Sequence, residues 1–292
     1  MHDFTIEVHG CRQADYTGAL SQPIYQSATF RHPGFQQSTG YDYSRCGNPT
    51  RDNLEETIAA LEKGRKAWAF SSGMAAINTV FQLFKPGDHI LLTEDLYGGT
   101  VRLGEIFAKY GIEFEYIDTT DLELVQRSLR PATRAIFIET PSNPMMLITD
   151  IKALAELAHS HAALLVVDNT FLTPHFQKPL TLGADIVVHS GTMISFKVRD
   201  SDLARSILGK VKLIAFAESL GGVESLITYP LYQTHECMPK YLLERTGLDD
   251  RLLRLSVGIE ATEDLIADLQ QAFRYNRVCI YICKTGKSCK SD

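Results

Sequence analysis

Between residues 66 and 190 the chain alternates short apolar runs with stretches in which apolar residues recur every three or four positions. The apolar runs lie at 67–70 (AWAF), 89–94 (HILLTE), 114–118 (FEYID), 135–140 (AIFIET), 163–170 (ALLVVDNT) and 184–190 (ADIVVHS), and each predicts a β-strand. The clearest intervening helix is predicted over 150–159, where Ile151, Leu154, Leu157 and Ala158 fall on one face. Strands separated by helices form βαβ units. Such units build a parallel sheet covered on both faces, with reactive groups gathered at the carboxyl ends of its strands.

Residues 1–52 precede this unit as an irregular arm punctuated by Gly and Pro, which reaches across to something outside its own core. Beyond it, Ile194, Phe196 and Val198 alternate with Met193, Ser195 and Lys197 as in a half-buried strand. Residues 212–217 (KLIAFA) and 252–260 (LLRLSVGIE) predict two further strands, and 261–273 a closing helix. Residues 274–292 continue no pattern and read as a tail. The expected organisation is an arm (1–52), an α/β domain (53–190), a small α+β domain (191–273) and a tail (274–292).

The chain has 292 residues, 45% hydrophobic and 22% charged, enough for one large domain and a smaller one. A formal net charge of −6 without any block of Lys or Arg argues against a nucleic-acid surface. The first residues lack the basic start and apolar run of a signal peptide, and no apolar run is long enough to span a bilayer, so a cytoplasmic protein with no membrane partner is expected. Six cysteines (Cys11, Cys46, Cys237, Cys279, Cys283 and Cys289) are scattered without zinc-type spacing. Reduced thiols and no metal site are expected.

Candidate chemistry sits at the strand ends. The 67–70 strand runs into Ser71-Ser72-Gly73-Met74, a small-residue turn opening a helix, where free N–H groups and a close approach at glycine suit a phosphate. Asp168 closes the apolar 163–167 run, and Tyr97 follows the 89–94 strand. Taken singly, Asp168 could equally cap a loop and Tyr97 could be a packed aromatic. Together, a phosphate cradle, an aromatic platform and a strand-end carboxylate are what pyridoxal 5'-phosphate requires.

With these residues in view, the chain resembles the Cys/Met-metabolism, or transsulfuration, family of pyridoxal-phosphate enzymes, which includes cystathionine γ-synthase, cystathionine γ-lyase and methionine γ-lyase. The resemblance rests on Tyr43-Ser44-Arg45 with Asn48-Pro49-Thr50, on Ser71-Ser72-Gly73-Met74 and on Asp95-Leu96-Tyr97-Gly98. It extends to Glu139-Thr140-Pro141-Ser142-Asn143-Pro144, Val167-Asp168-Asn169-Thr170, Glu218-Ser219-Leu220-Gly221-Gly222 and Arg254-Leu255-Ser256. It implies an aminotransferase-like large domain of fold type I, a three-layer α/β structure around a mostly parallel sheet, with a smaller C-terminal α+β domain. It further implies a homo-oligomer with shared active sites and a small amino-acid substrate.

By resemblance, Tyr43 and Arg45 reach the cofactor phosphate of a neighbouring subunit, Gly73, Met74 and Ser190 bind the phosphate, and Asp168 pairs with the ring nitrogen. Tyr97 stacks on the ring and is the catalytic candidate present. Asn143, Ser219 and Arg254 hold the substrate carboxylate, a task suited to the guanidinium fork. Gly99 stands where methionine γ-lyases resemble one another in carrying a cysteine, and the acid Glu218 suits the distal amino group of cystathionine. Both features imply cystathionine chemistry, synthase or lyase.

One family feature is missing. Where the family continues Ser-Ala-Thr-Lys, the lysine carrying the cofactor as a Schiff base and shuttling protons, this chain reads Ser190-Gly191-Thr192-Met193. A thioether neither forms an imine nor carries a proton. The family's following segment, with the closing strand of the large domain and a long helix, is missing too. Gly191 to Phe196 resembles the start of the small domain, so an internal deletion near 190–191 is expected. Lys197, nearest in sequence, shares the strand face of Ser195 and reads as a solvated residue. The resemblance therefore implies a transsulfuration enzyme impaired by loss of its lysine, beside two other readings: a non-catalytic cofactor-binding or oligomerising homologue, and an aberrant truncated gene product.

Overall fold

A computed structural model describes residues 2–11, 22–190, 194–220, 224–236, 238–258 and 260–273. Gly191, Thr192 and Met193, the tail after Phe273, Gly221, Gly222 and the cysteines at 237, 279, 283 and 289 lie outside the described residues. The chain divides into two compact units, Met1–Thr93 with Leu103–Pro141 and Ile148–Ser190, and Glu94–Arg102 with Ser142–Leu147 and Gly191–Asp292.

The first unit runs α1 (Asp3–His9), α2 (Pro49–Glu62), α3 (Gly73–Phe81), β1 (His89–Thr93), α4 (Gly98–Ala108, its first residues counted with the second unit), β2 (Glu113–Ile117) and α5 (Leu122–Ser128). It continues with β3 (Thr133–Glu139), α6 (Ile151–Ser160), β4 (Leu164–Asp168), the short α7 (Thr173–Phe176) and β5 (Ile186–Val188). Its five strands form one all-parallel sheet in the order β2-β1-β3-β4-β5.

Alternate residues of each strand serve opposite faces. Ile136 and Ile138 of β3, with Leu165 and Val167 of β4, pack against Ile151, Leu154, Ala155 and Ala158 of α6. Phe137, between the two isoleucines, points the other way and meets Phe81 of α3 at 5.7 Å between ring centroids, where Phe107 of α4 and Phe114 of β2 also converge. The sheet is thus the middle of three layers; β1, β3 and β4 are apolar between their ends because both faces are covered, whereas the edge strand β2 carries Glu113 and Glu115 and is partly exposed. Helix α6 follows its sequence signals closely: the side chain of Asp150 caps it, accepting from Ala153 N at 3.0 Å.

Residues 67–70, expected as a strand, join neither sheet, and Trp68 and Phe70 are exposed. Among the described residues β5 pairs only with β4 and stands at the sheet's edge. The arm contains helix α1 and then, over 22–48, a single isolated bridge between Thr29 and Tyr43, with Ile24 and Phe35 exposed.

The second unit contains β6 (Ile194–Lys197), α8 (Ser201–Leu208), β7 (Ala215–Phe216), β8 (Leu226–Thr228), α9 (Lys240–Thr246), β9 (Leu252–Ser256) and α10 (Thr262–Phe273). The sheet order is β6-β9-β8-β7, antiparallel except where β7 meets β8, which makes a small α+β unit. Two expected strands are shorter than their apolar runs, and β8 carried no sequence signal, being three residues in a polar context. Among the described residues no helix is long and apolar enough to cross a membrane.

Phe81 is fully buried among three other rings. Its replacement in Phe81→Ala should cost about 3–5 kcal/mol, seen as a lower urea midpoint at unchanged m-value.

Candidate functional site

The candidate residues fall into two sets, one in each unit. In the first unit, Ser72 caps α3 in extended geometry and its Oγ accepts from Ala75 N at 3.1 Å. The cap uses the third N–H of the helix, and Gly73 and Met74 carry the first two, which no helical carbonyl can reach. A Cβ at Gly73 would lie 2.9 Å from both Cβ and Oγ of Ser190, so the strand end after β5 closes on the helix start as only glycine permits. The ladder explains the approach: Asp168 stands opposite Val188, and Asn169 N donates to Val188 O, bringing the ends of β4 and β5 together.

Asp168 is buried at the end of β4. Burial pushes its carboxyl upward, opposed by Thr170, whose N–H and hydroxyl both donate to it, and by the nearby His189 imidazole. His189 in turn holds Glu62, Nε2 to Oε1 at 2.6 Å, and Glu62 is itself buried at the end of α2. A buried carboxylate of this kind suits a cationic ring N–H, so the cradle and Asp168 fit the phosphate and pyridine ends of pyridoxal phosphate. On the arm, Arg45 donates to the Tyr43 hydroxyl at 3.0 Å and stacks over its ring, both side chains facing outward.

In the second unit, Arg254 occupies the middle of β9 and is 1% exposed. Its guanidinium donates to Asn143 Oδ1 at 3.3 Å, Ser219 O at 3.4 Å and Thr228 Oγ1 at 3.5 Å. These are long contacts, which a bidentate carboxylate would outcompete. Ser219 adopts φ +88°, a left-handed conformation costly for a residue with a Cβ, and it aims its carbonyl at Arg254. Glu218 is exposed, and Tyr97 is half-buried.

The structure therefore brings Gly73 and Ser190 together, and separately joins Asn143, Ser219 and Arg254. On the arm it pairs the side chains of Tyr43 and Arg45. Lys197 donates to Gly247 O at 2.9 Å and to Asp249 Oδ2 at 3.2 Å. Lys178 donates to the carbonyls of Leu61 and Pro174 at 2.7 and 2.6 Å.

Three groups carried no pattern that singled them out. Beyond the His189–Glu62 pair, Asp95 accepts from the Ser142 hydroxyl and from Met145 N at 3.0 Å, tying the Tyr97 loop to the Asn143 turn. Burial pushes its carboxyl up to about 6. His235 is fully buried beside the same two loops.

The chain matches the family model described as Cys/Met metabolism PLP-dependent enzyme in two blocks, residues 4–193 and 190–274. It is 39% identical over 349 aligned residues to a cystathionine gamma-synthase/O-acetylhomoserine (thiol)-lyase of Bacillus subtilis, covering 90% of this chain and 94% of that protein. It is 37% identical to a cystathionine gamma-lyase of the same organism, with 92% and 98% covered. Among solved structures, a cystathionine gamma-lyase from Lactobacillus plantarum complexed with L-serine superposes with a TM-score of 0.86 at 35% identity, covering 94% of this chain and 99% of that one.

Because the folded-state pKa of Asp95 is raised, its contribution to stability is full below the ordinary carboxylate range and is lost as pH rises to about 6. In Asp95→Asn the amide can still accept from Met145 N but no longer titrates. Denaturant unfolding should show the variant gaining roughly 2–3 kcal/mol relative to the parent between pH 4 and pH 7.

Proposed function

The chain belongs to the Cys/Met metabolism family of pyridoxal-phosphate-dependent enzymes, and from that premise we propose that it is a transsulfuration protein of the cystathionine γ-synthase or γ-lyase type whose turnover is impaired by loss of the cofactor-bearing lysine. The observation that carries the impairment is the run Ser190-Gly191-Thr192-Met193 at the end of the last parallel strand, where no amine follows. Lys197 and Lys178 spend their ammonium groups on carbonyls and on Asp249 or Asp3.

Pyridoxal phosphate, when bound, supplies an electron sink for carbanions of an amino-acid substrate. In the first unit the Gly73 and Met74 N–H groups and the Ser190 hydroxyl hold the phosphate, and Asp168 accepts from the ring N–H and keeps that nitrogen protonated. In the second unit Tyr97 supplies an aromatic face, Asn143, Ser219 and Arg254 orient the substrate carboxylate, and Glu218 meets a distal ammonium group. Tyr43 and Arg45 serve the phosphate of a second copy in a homo-oligomer, a role consistent with their outward-facing pair and with the exposed Ile24 and Phe35 of the same arm. Missing from this set is an amine to hold the cofactor covalently and carry protons between carbon atoms, a role whose loss costs orders of magnitude in rate.

We read the lost lysine as part of a lost segment, not as a substitution. The two family-model blocks meet at residues 190–193, and the alignment to the Bacillus subtilis synthase spans 349 positions for a chain of 292. The edge strand β5 and the strandless, exposed Trp68 and Phe70 are what removal of a closing strand would leave. The proposed arrangement is an arm over 1–52, a truncated cofactor domain to 190, a small domain over 191–273 and a tail. The same observations, with a family match that ends at residue 274, favour a second reading: an aberrant gene product.

Incubated with pyridoxal phosphate, the purified chain should bind it reversibly, lose it on dialysis and show no lysine adduct by mass spectrometry after borohydride. A lysine-linked adduct, or cystathionine turnover in the range typical of enzymes, about 1–10³ s⁻¹, would overturn the proposal. A protein that neither binds the cofactor nor stays in solution would select the second reading. Gly73→Ala, which drives a Cβ to 2.9 Å from Ser190 and so forces the strand end away from the helix start, should abolish this binding and also lower the unfolding midpoint.

A further inference from the structure

We propose that Glu55 and Glu62, two carboxylates on one side of α2, are positioning residues that brace the phosphate cradle: Glu55 holds the chain leading into α3, and Glu62 holds the strand end that carries Ser190. The inference rests on the reading above that Gly73, Met74 and Ser190 receive a phosphate. It concerns what fixes the gap between them.

The sheet ends short of both flanks of the cradle. The 67–70 segment joins neither sheet, and β5 is three residues long, its register ending at Asp168 opposite Val188. Both flanks are tied to α2 instead. Glu55 Oε1 accepts from Ala69 N at 2.9 Å, four residues before Gly73. Glu62 Oε1 lies 2.6 Å from Nε2 of His189, the residue next to Ser190. A carboxylate only accepts, so Nε2 carries the proton. The two ties span 14 and 127 residues of sequence and converge on one helix.

The composition of α2 fits this task. Glu55 and Glu62 are seven residues apart, two helical turns, and so lie on the same side. A helix face turned into a protein ordinarily carries apolar residues, and burying a carboxylate is costly unless donors meet it. Here the Glu62 side chain is 2% exposed and that of Glu55 17%. The end of the helix is itself held: Lys178 donates to Leu61 O at 2.7 Å, and Lys63 and Lys178 both pair with Asp3. The cradle has no slack, since a Cβ on Gly73 would lie 2.9 Å from Ser190 Oγ. Movement of either flank therefore changes the distance from the Gly73 and Met74 N–H groups to the Ser190 hydroxyl, and hydrogen bonds weaken steeply outside their narrow range.

Pyridoxamine 5'-phosphate and pyridoxamine differ only in the phosphate, and neither forms an imine with a lysine. Equilibrium dialysis on the full chain, read by ring fluorescence, gives the affinity of each and the number of competent sites. The parent should prefer the phosphorylated probe by about hundredfold or more, the scale of two hydrogen bonds to a charged group. His189→Leu removes the donor to Glu62, and Glu55→Met removes the acceptor for Ala69 N; each should cut that preference about tenfold. The double variant Glu62→Leu/His189→Leu cuts the same tie without stranding a buried carboxylate and should show the same loss. His189→Gln, whose amide nitrogen reaches the Nε2 position, and Glu55→Gln, which still accepts, should keep the preference within about threefold of the parent.

The ratio of the two affinities cancels any change at Asp168, which both probes meet alike, and loss of folded protein appears in the site count and not in the ratio. A parent-like ratio in the variants that cut a tie, or equal losses for both probes, would overturn the bracing role. Glutamine variants as impaired as His189→Leu and Glu55→Met would overturn it too. A parent chain that binds both probes equally would instead overturn the phosphate cradle, and one that binds neither would overturn the cofactor reading.

Discussion

The first unit depends on one constraint: the inner strands of a parallel ladder, covered on both faces, leave almost no place for a polar side chain between their ends. Leu165, Val166 and Val167 are fully buried, and the polar series begins only at Asp168, where β4 leaves the sheet. Register then decides what stands beside it. Because Asp168 pairs with Val188, the end of β5 delivers His189 and Ser190 to the same rim, where His189 meets Glu62 and Ser190 closes on Gly73. Chemistry collects there because the interior of the sheet rejects it.

The second unit solves a different problem, that of keeping a guanidinium in the middle strand of an antiparallel sheet. A buried charge is costly unless its donors are met, and here Asn143, Ser219 and Thr228 accept from the two Nη nitrogens with neutral oxygens from a turn, a strained loop and a neighbouring strand. Asp95 links the loop of Tyr97 to the turn of Asn143, and His235 lies against both. Burial pushes the carboxyl of Asp95 up and the imidazole of His235 down, each toward its neutral form.

Much of this was legible along the chain. Helix α6 declared itself through the helical period of Ile151, Leu154, Leu157 and Ala158, and β1, β3 and β4 through their apolar runs. The strand-end residues Gly73 and Asp168 stood out because their types break those runs. The 67–70 segment misled for a physical reason: its apolar composition asks for a ladder partner, and propensity cannot say whether one exists. β8 escaped notice because three residues offer no period, and His235 because a single histidine in a loop carries no pattern at all.

What the sequence by itself determined was the run of the main parallel strands, the family, the cofactor and the Ser190-Gly191-Thr192-Met193 run without a lysine, since these are properties of residue identity and local spacing. Only the tertiary structure decided that Gly73 must be glycine, that Asp168 and Asp95 are pushed upward, that Lys197 is held by Gly247 and Asp249, and that His235 lies fully buried against Asn143 and Leu96. Periodicity and capping are written within one turn or one strand. Burial, desolvation and close approach are sums over neighbours that lie tens of residues apart in sequence, and they acquire values only when the chain is folded.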